Sequence, residues 1–144
     1  RRFRPEIVLT PHTDENQHPD HSVVGKLTRD ACRFARYGGL EELKGFHPTG
    51  YEPFAVTALY YYGITKEFGT PNVVIDISDV AGDWEAAMKC HESQMRTRSY
   101  VDLRLSGARN LGLSIGVEYA AGFYTNDPVR VKALSEITLS SRHF

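Results

Sequence analysis

The sequence predicts an α/β protein, a three-layer sandwich around a mainly parallel sheet. Three observations predict it. Strand-like and helix-like stretches alternate along the chain. Two strand candidates, Ile7-Val8-Leu9 and Val73-Val74-Ile75, are continuous apolar runs, as expected where helices cover both faces of a sheet. A polar loop rich in His and Asp leaves the carboxyl end of the first of them, which is where such sheets bind ligands.

In order, residues 5–10 read as a short buried strand, with Pro5 at its start, where a missing N–H is tolerated. The polar loop runs to His21. From Ser22 to about Tyr37, Val23, Val24, Leu27, Ala31, Phe34 and Ala35 recur at helical spacing, with Asp20 or Ser22 as N-cap and Gly38-Gly39 as terminator. Residues 40–53 form a connector. Residues 55–62 read as a strand whose Tyr60-Tyr61-Tyr62 alternate between faces, and 72–77 as the clearest buried strand. Ser78 or Asp79 then caps a helix reaching about Gln94, with Trp84, Ala87, Met88 and His91 on one face. A further helix runs from about Tyr100 to Ile115, its inner stripe Val101, Leu105, Ala108, Gly112 and Ile115. Gly107 and Gly112 weaken it by about 1 kcal/mol each unless close packing uses them. Residues 118–124 form a turn or short strand, and the tail is mixed.

A chain of 144 residues holds one domain with a real core. Its net charge of -1 offers no general attraction to nucleic acid or to an anionic membrane. No apolar run is long enough to span a bilayer, and no secretory signal is visible. Cys32 and Cys90 lie in helical patterns without zinc-finger spacing, so both are expected to be buried and reduced, which fits a cytoplasmic protein. The chain opens at Arg1 and enters a strand almost at once, so it reads as part of a longer polypeptide.

Chemistry concentrates in the loop. His12, His18 and His21 share ten positions with Asp14, Glu15 and Asp20. His18-Pro19-Asp20-His21 sets two imidazoles three residues apart, and neutral imidazole is a good zinc ligand. One histidine can bind the metal while the other works as an acid or donates to a developing oxyanion. Asp20 can orient a neighbouring ring. Two ligands still fall short of the three that a catalytic zinc usually takes. A His pair at this spacing is also common on plain surface loops. His47 and His143 read as surface residues, and His91 as a histidine packed on an apolar helix face.

Residues 5–12, then His18-Pro19-Asp20-His21 and Ser22-Val23-Val24, resemble the second signature of the LmbE-like zinc deacetylases. That family includes the N-acetylglucosaminyl-phosphatidylinositol de-N-acetylases and the deacetylases of mycothiol and bacillithiol synthesis. His91-Glu92-Ser93-Gln94, residues 72–78 and residues 116–123 are similar to later family segments, in the same order. The resemblance implies a Rossmann-like fold and zinc-dependent hydrolysis of an N-acetyl group from an N-acetylglucosamine-type conjugate. It implies His21 as a zinc ligand, His18 as general acid or oxyanion stabiliser, Asp20 as the residue that orients them, and Gln17 on the substrate side. The family's first signature, an Ala-His-Pro-Asp-Asp stretch that supplies the other ligands and the base, does not occur in this chain. The chain therefore resembles the C-terminal portion of one deacetylase domain, with the N-terminal part missing. An amino-sugar substrate and an oligomeric state are the implied partners. A non-catalytic carbohydrate-binding or scaffold remnant of the same fold is the alternative.

Overall fold

A computed structural model of the chain describes residues 1–14, 17–38, 50–65, 67–96 and 99–136. Its elements are β1 (Ile7–Pro11), α1 (Pro19–Arg36), β2 (Ala58–Tyr62), β3 (Val73–Asp76), α2 (Ala81–Lys89), α3 (Tyr100–Ile115) and β4 (Ala120–Phe123). Short 3₁₀ turns occupy Ser78–Val80, Glu92–Met95 and Leu134–Glu136. The class is α/β, as the sequence predicts. The chain forms two compact units, one of Arg1–Thr70 with Phe123–Thr125, the other of Pro71–Gly122 with the stretch from Asn126 onward.

In the first unit β1 and β2 pair in parallel, from Ile7 opposite Ala58 to Pro11 opposite Tyr62. Tyr61 also exchanges backbone hydrogen bonds with Tyr124, at 2.8 and 2.9 Å. Alternation along β2 buries Tyr61 while its neighbours stay half-exposed.

Helix α1 begins at Pro19, three residues earlier than the sequence reading placed it. Proline suits the first helical position, where an N–H would have no partner, and Asp20 in the first turn meets the positive end of the helix. The cap is His18, in place of Asp20 or Ser22. Ser22 instead buries its hydroxyl, which donates to the Pro19 carbonyl at 3.0 Å. At the far end the Arg1 guanidinium donates to the carbonyls of Ala35 at 3.0 Å and Tyr37 at 2.6 Å, closing groups that the helix leaves open.

The helix turns a small-residue face to β1. A Cβ on Gly25 would strike the Pro11 carbonyl oxygen and approach that of His12 to 3.0 Å, so only glycine lets α1 sit this close to the strand end. The apolar stripe expected to face the core is exposed instead, at Val23, Val24, Leu27, Ala31 and Phe34.

In the second unit β3 pairs with β4. The core includes Ala81, Val101, Ala108 and Ala120. Asp76 closes the end of β3, its Oδ1 accepting from the Ser78 amide at 2.9 Å and hydroxyl at 2.7 Å; these bonds hold its carboxyl below the usual range. Helix α3 has the bounds read from the sequence. The Ser99 hydroxyl accepts from the Asp102 amide at 3.2 Å, and Gly116 ends the helix at φ 79°. Gly112 is the glycine that close packing uses, since a Cβ there would meet the carbonyl oxygens of Val117 and Glu118 at 2.8 Å; Gly107 faces open space.

Helix α2 ends at Lys89, short of Gln94. Bonds from Cys90 N to Ala87 O and from His91 N to Met88 O tighten its last turn, and the backbone leaves helical geometry at His91. Both residues are therefore exposed, whereas the sequence reading packed His91 on an apolar face and buried Cys90. Cys32 is half-buried, and burial raises its thiol above the ordinary range. No described helix is long and apolar enough to cross a membrane. Glu15, His47 and His143 lie outside the described residues.

Candidate active site

The carboxyl end of β1 divides the loop histidines into two groups. His12 belongs to the packing. Its amide donates to Tyr62 O at 3.0 Å, continuing the β1–β2 ladder by one residue. Its ring stacks on Phe68 with centroids 4.0 Å apart and meets the edges of Tyr61 and Tyr124. Only 16% of its side chain is exposed. His12 Nδ1 accepts from the Asp14 amide at 3.1 Å, so the ring also holds the start of the loop. Beneath it, Tyr124 Oη donates to Glu67 Oε2 at 2.7 Å and accepts from the Phe68 amide at 2.8 Å. Burial, reinforced by Glu67, pushes the Tyr124 phenol up to about 12. The sequence does not point to this cluster, because Glu67 and Phe68 lie in irregular chain without periodicity. The buried strand position of Tyr61 was its one sequence signal.

His18, Asp20 and His21 form the second group, and the structure brings them together on the first turn of α1. His18 is the N-cap residue, with extended backbone. Its Nδ1 lies 3.3 Å from both the Asp20 amide and Asp20 Oδ2. A bare Nδ1 accepts from the amide and caps the helix. A protonated Nδ1 turns that contact into a bond to the carboxylate. In both states Nε2 is the ring nitrogen that these contacts leave for other work. The His18 and His21 ring centroids are 6.0 Å apart, and the His21 amide donates to the His18 carbonyl at 3.1 Å. His18 and Asp20 are well exposed and His21 is half-buried.

Gln17, just before the cap, has φ 68°, in the left-handed region that non-glycine residues enter rarely. Strained backbone of this kind clusters at functional sites. Thr10, two residues before His12, is only 2% exposed and its hydroxyl has no partner among the described residues.

Among the described residues no three His, Cys, Asp or Glu side chains are placed to hold one metal ion. A catalytic zinc takes three protein ligands. The described residues alone therefore do not make a zinc site. What the turn has is two imidazoles and a carboxylate at a sheet end, which suits proton transfer and donation to an oxyanion.

No family model matches the chain. Diacetylchitobiose deacetylase of Thermococcus kodakarensis is 36% identical over 97 residues, covering 65% of this chain and 34% of that protein. Among solved structures, the conserved protein TT1542 of Thermus thermophilus matches 90% of this chain and 55% of its own, with TM-score 0.77 and 32% identity. The N,N'-diacetylchitobiose deacetylase of Pyrococcus horikoshii, solved with an inhibitor, matches 85% of this chain and 46% of its own, with TM-score 0.66 and 25% identity. The 4-carboxy-2-hydroxymuconate hydratase of Pseudomonas putida matches 92% of this chain and 57% of its own at 20% identity and TM-score 0.69, a likeness of fold. The chain thus spans a third to just over half of the length of these relatives.

Proposed function

We propose, for a chain that shares the LmbE-like deacetylase fold and counts diacetylchitobiose deacetylase among its homologues, that the first turn of α1 belongs to a zinc-dependent N-deacetylase. Its substrate is an N-acetylglucosamine-type conjugate. The observation that carries this reading is the joint placement of His18, Asp20 and His21 on one helical turn at the carboxyl end of β1. A likeness of fold would not suffice, since a hydratase shares it.

The reaction adds water across an amide. The acetyl carbon gains an oxygen, the C–N bond breaks, and the nitrogen leaves as an amine after taking a proton. His18 is suited to serve both ends of that sequence. In either state of Nδ1 an Nε2–H can donate to the oxyanion; with Nδ1–H on the Asp20 carboxylate the ring is an imidazolium, and it then gives its Nε2 proton to the departing nitrogen. Asp20 keeps the ring in place. His21 is the imidazole offered to zinc, with the remaining ligands coming from residues other than those described. When bound, zinc would polarise the acetyl carbonyl and make water a better nucleophile. Gln17 stands on the substrate side of the cap.

Acetate release from N,N'-diacetylchitobiose by the product of the complete reading frame tests the reading. His18→Ala is expected to slow turnover by about 10²–10⁴-fold, the usual worth of a general acid. Asp20→Asn is expected to cost about 10–100-fold, as for residues that orient a catalytic ring. Gln17→Ala raises KM with little change in kcat. Full activity in His18→Ala and His21→Ala would overturn the proposal.

A further inference from the structure

His12, just past the end of β1, joins the parts that surround the first turn of α1. Its amide donates to Tyr62 O on β2 at 3.0 Å. Its carbonyl lies against Gly25 of α1, where a Cβ would approach the oxygen to 3.0 Å. Its ring stacks on Phe68 with centroids 4.0 Å apart, and its Nδ1 accepts from the Asp14 amide at 3.1 Å.

The box that holds this ring is aromatic, with Phe68 on its face and Tyr61 and Tyr124 at its edges. A phenyl ring would fill it without the cost of taking an imidazole out of water. The ring nitrogen is therefore the part of His12 that needs a use, and the bond from the Asp14 amide is the use that the structure shows. The Asp14 carboxylate stands farther off, with Oδ2 3.9 Å from Nδ1. The same turn recurs six residues on, where His18 Nδ1 accepts from the Asp20 amide at 3.3 Å. One His-x-Asp turn is anchored in the aromatic box, and the other is exposed and caps the helix.

We propose that His12 is a positioning residue for the turn that carries His18, Asp20 and His21, acting through its Nδ1 on the Asp14 amide. The inference rests on the function proposed above. Four peptide steps separate Asp14 from His18, so at most about 14 Å of chain joins them. Helix ends fray, and Gly25, which seats α1 on the end of β1, lies in the second turn. Gln17, at φ 68°, keeps such a backbone only where its surroundings hold it. The bond at Asp14 is a hold on the upstream side. Without it the cap residue shifts, and His18 Nε2 is less often where an oxyanion or a departing nitrogen would meet it. A misplacement of about 1 Å can cost about 10²-fold in rate.

Two substitutions separate the nitrogen from the ring. His12→Phe keeps the stack and removes the acceptor. His12→Asn removes the stack and keeps an acceptor for the amide two residues on, as asparagine does in an Asx-turn. Both are made in the product of the complete reading frame, with acetate release from N,N'-diacetylchitobiose as the assay. His12→Phe is expected to lose about 10–100-fold in kcat, as for residues that orient a catalytic ring. Its thermal midpoint stays near that of the wild type, because the bond to the Asp14 amide is exposed and water replaces it. His12→Asn is expected to unfold at a lower temperature, yet to keep the wild-type kcat below it. Backbone relaxation at Gln17 and His18 reads the turn without the reaction. An order parameter of about 0.85 in the wild type is expected to fall below about 0.6 in His12→Phe. Wild-type kcat in His12→Phe, or a turn as ordered as in the wild type, would overturn the proposal. So would an equal loss of kcat in the two variants, which would assign the effect to the stack. If His12→Asn does not fold, the His12→Phe results decide alone. If the wild type releases no acetate, the function proposed above fails, and relaxation in His12→Phe then decides whether His12 holds the turn.

Discussion

Thr10 buries a hydroxyl that no described group meets, and an unmet buried hydroxyl costs about 1–3 kcal/mol. Valine has the same shape without that cost, so Thr10→Val is expected to raise stability by about 1 kcal/mol in urea unfolding. Tyr124 sets an alkaline limit. Its phenol is raised from 10.0 to about 12, so the fold favours the neutral form. That contribution is fully present below pH 10 and is lost between pH 10 and 12, as the unfolded chain ionises first. Tyr124→Phe should flatten this part of the stability–pH curve. The two thiols separate as well. Cys90 is exposed and Cys32 half-buried with a raised thiol, so a thiol reagent should modify Cys90 first at neutral pH. Composition could not show this contrast, because the exposure of Cys90 depends on where α2 stops. The His18-Pro19-Asp20-His21 cluster, by contrast, was legible from residue types and spacing. The stacking of His12 on Phe68 was not, since it joins residues far apart in sequence through a turn without pattern.

At the scale of elements, α3 runs where its stripe of small and apolar residues placed it, from about Tyr100 to Ile115, and the structure adds Ser99 as its cap and Gly116 as its end. Its two glycines make a paired test. Gly112→Ala pushes a methyl into the Val117 and Glu118 carbonyls and is expected to cost about 1–3 kcal/mol. Gly107→Ala meets nothing and is expected to gain up to about 1 kcal/mol. Thermal unfolding of both variants checks the contrast. Helix α1 starts three residues before Ser22, where its apolar spacing begins, because proline is favoured at the first helical position. That correction matters for function. It puts Asp20 and His21 in the first turn of α1 with His18 as its cap, on a helix that Gly25 lets approach the end of β1. The early end of α2 has no comparable signal, since its helical spacing continues past the turn that breaks it.

For the molecule, the alternation of strands and helices and the place of the His/Asp loop after the first strand were readable from sequence alone. Which face of α1 is covered was not. An amphipathic stripe shows that a helix has an apolar side, and what lies against it is a matter of tertiary structure. The first turn of α1 is proposed to contribute to a metal-dependent deacetylase. Bound zinc per polypeptide, by elemental analysis of the natively purified complete product and of its His21→Ala variant, tests it most directly. The account predicts about one zinc per chain in the wild type, the count of a mononuclear catalytic site, and its loss in the variant. Zinc retained in full by His21→Ala, or deacetylation by wild-type protein free of metal, would contradict it.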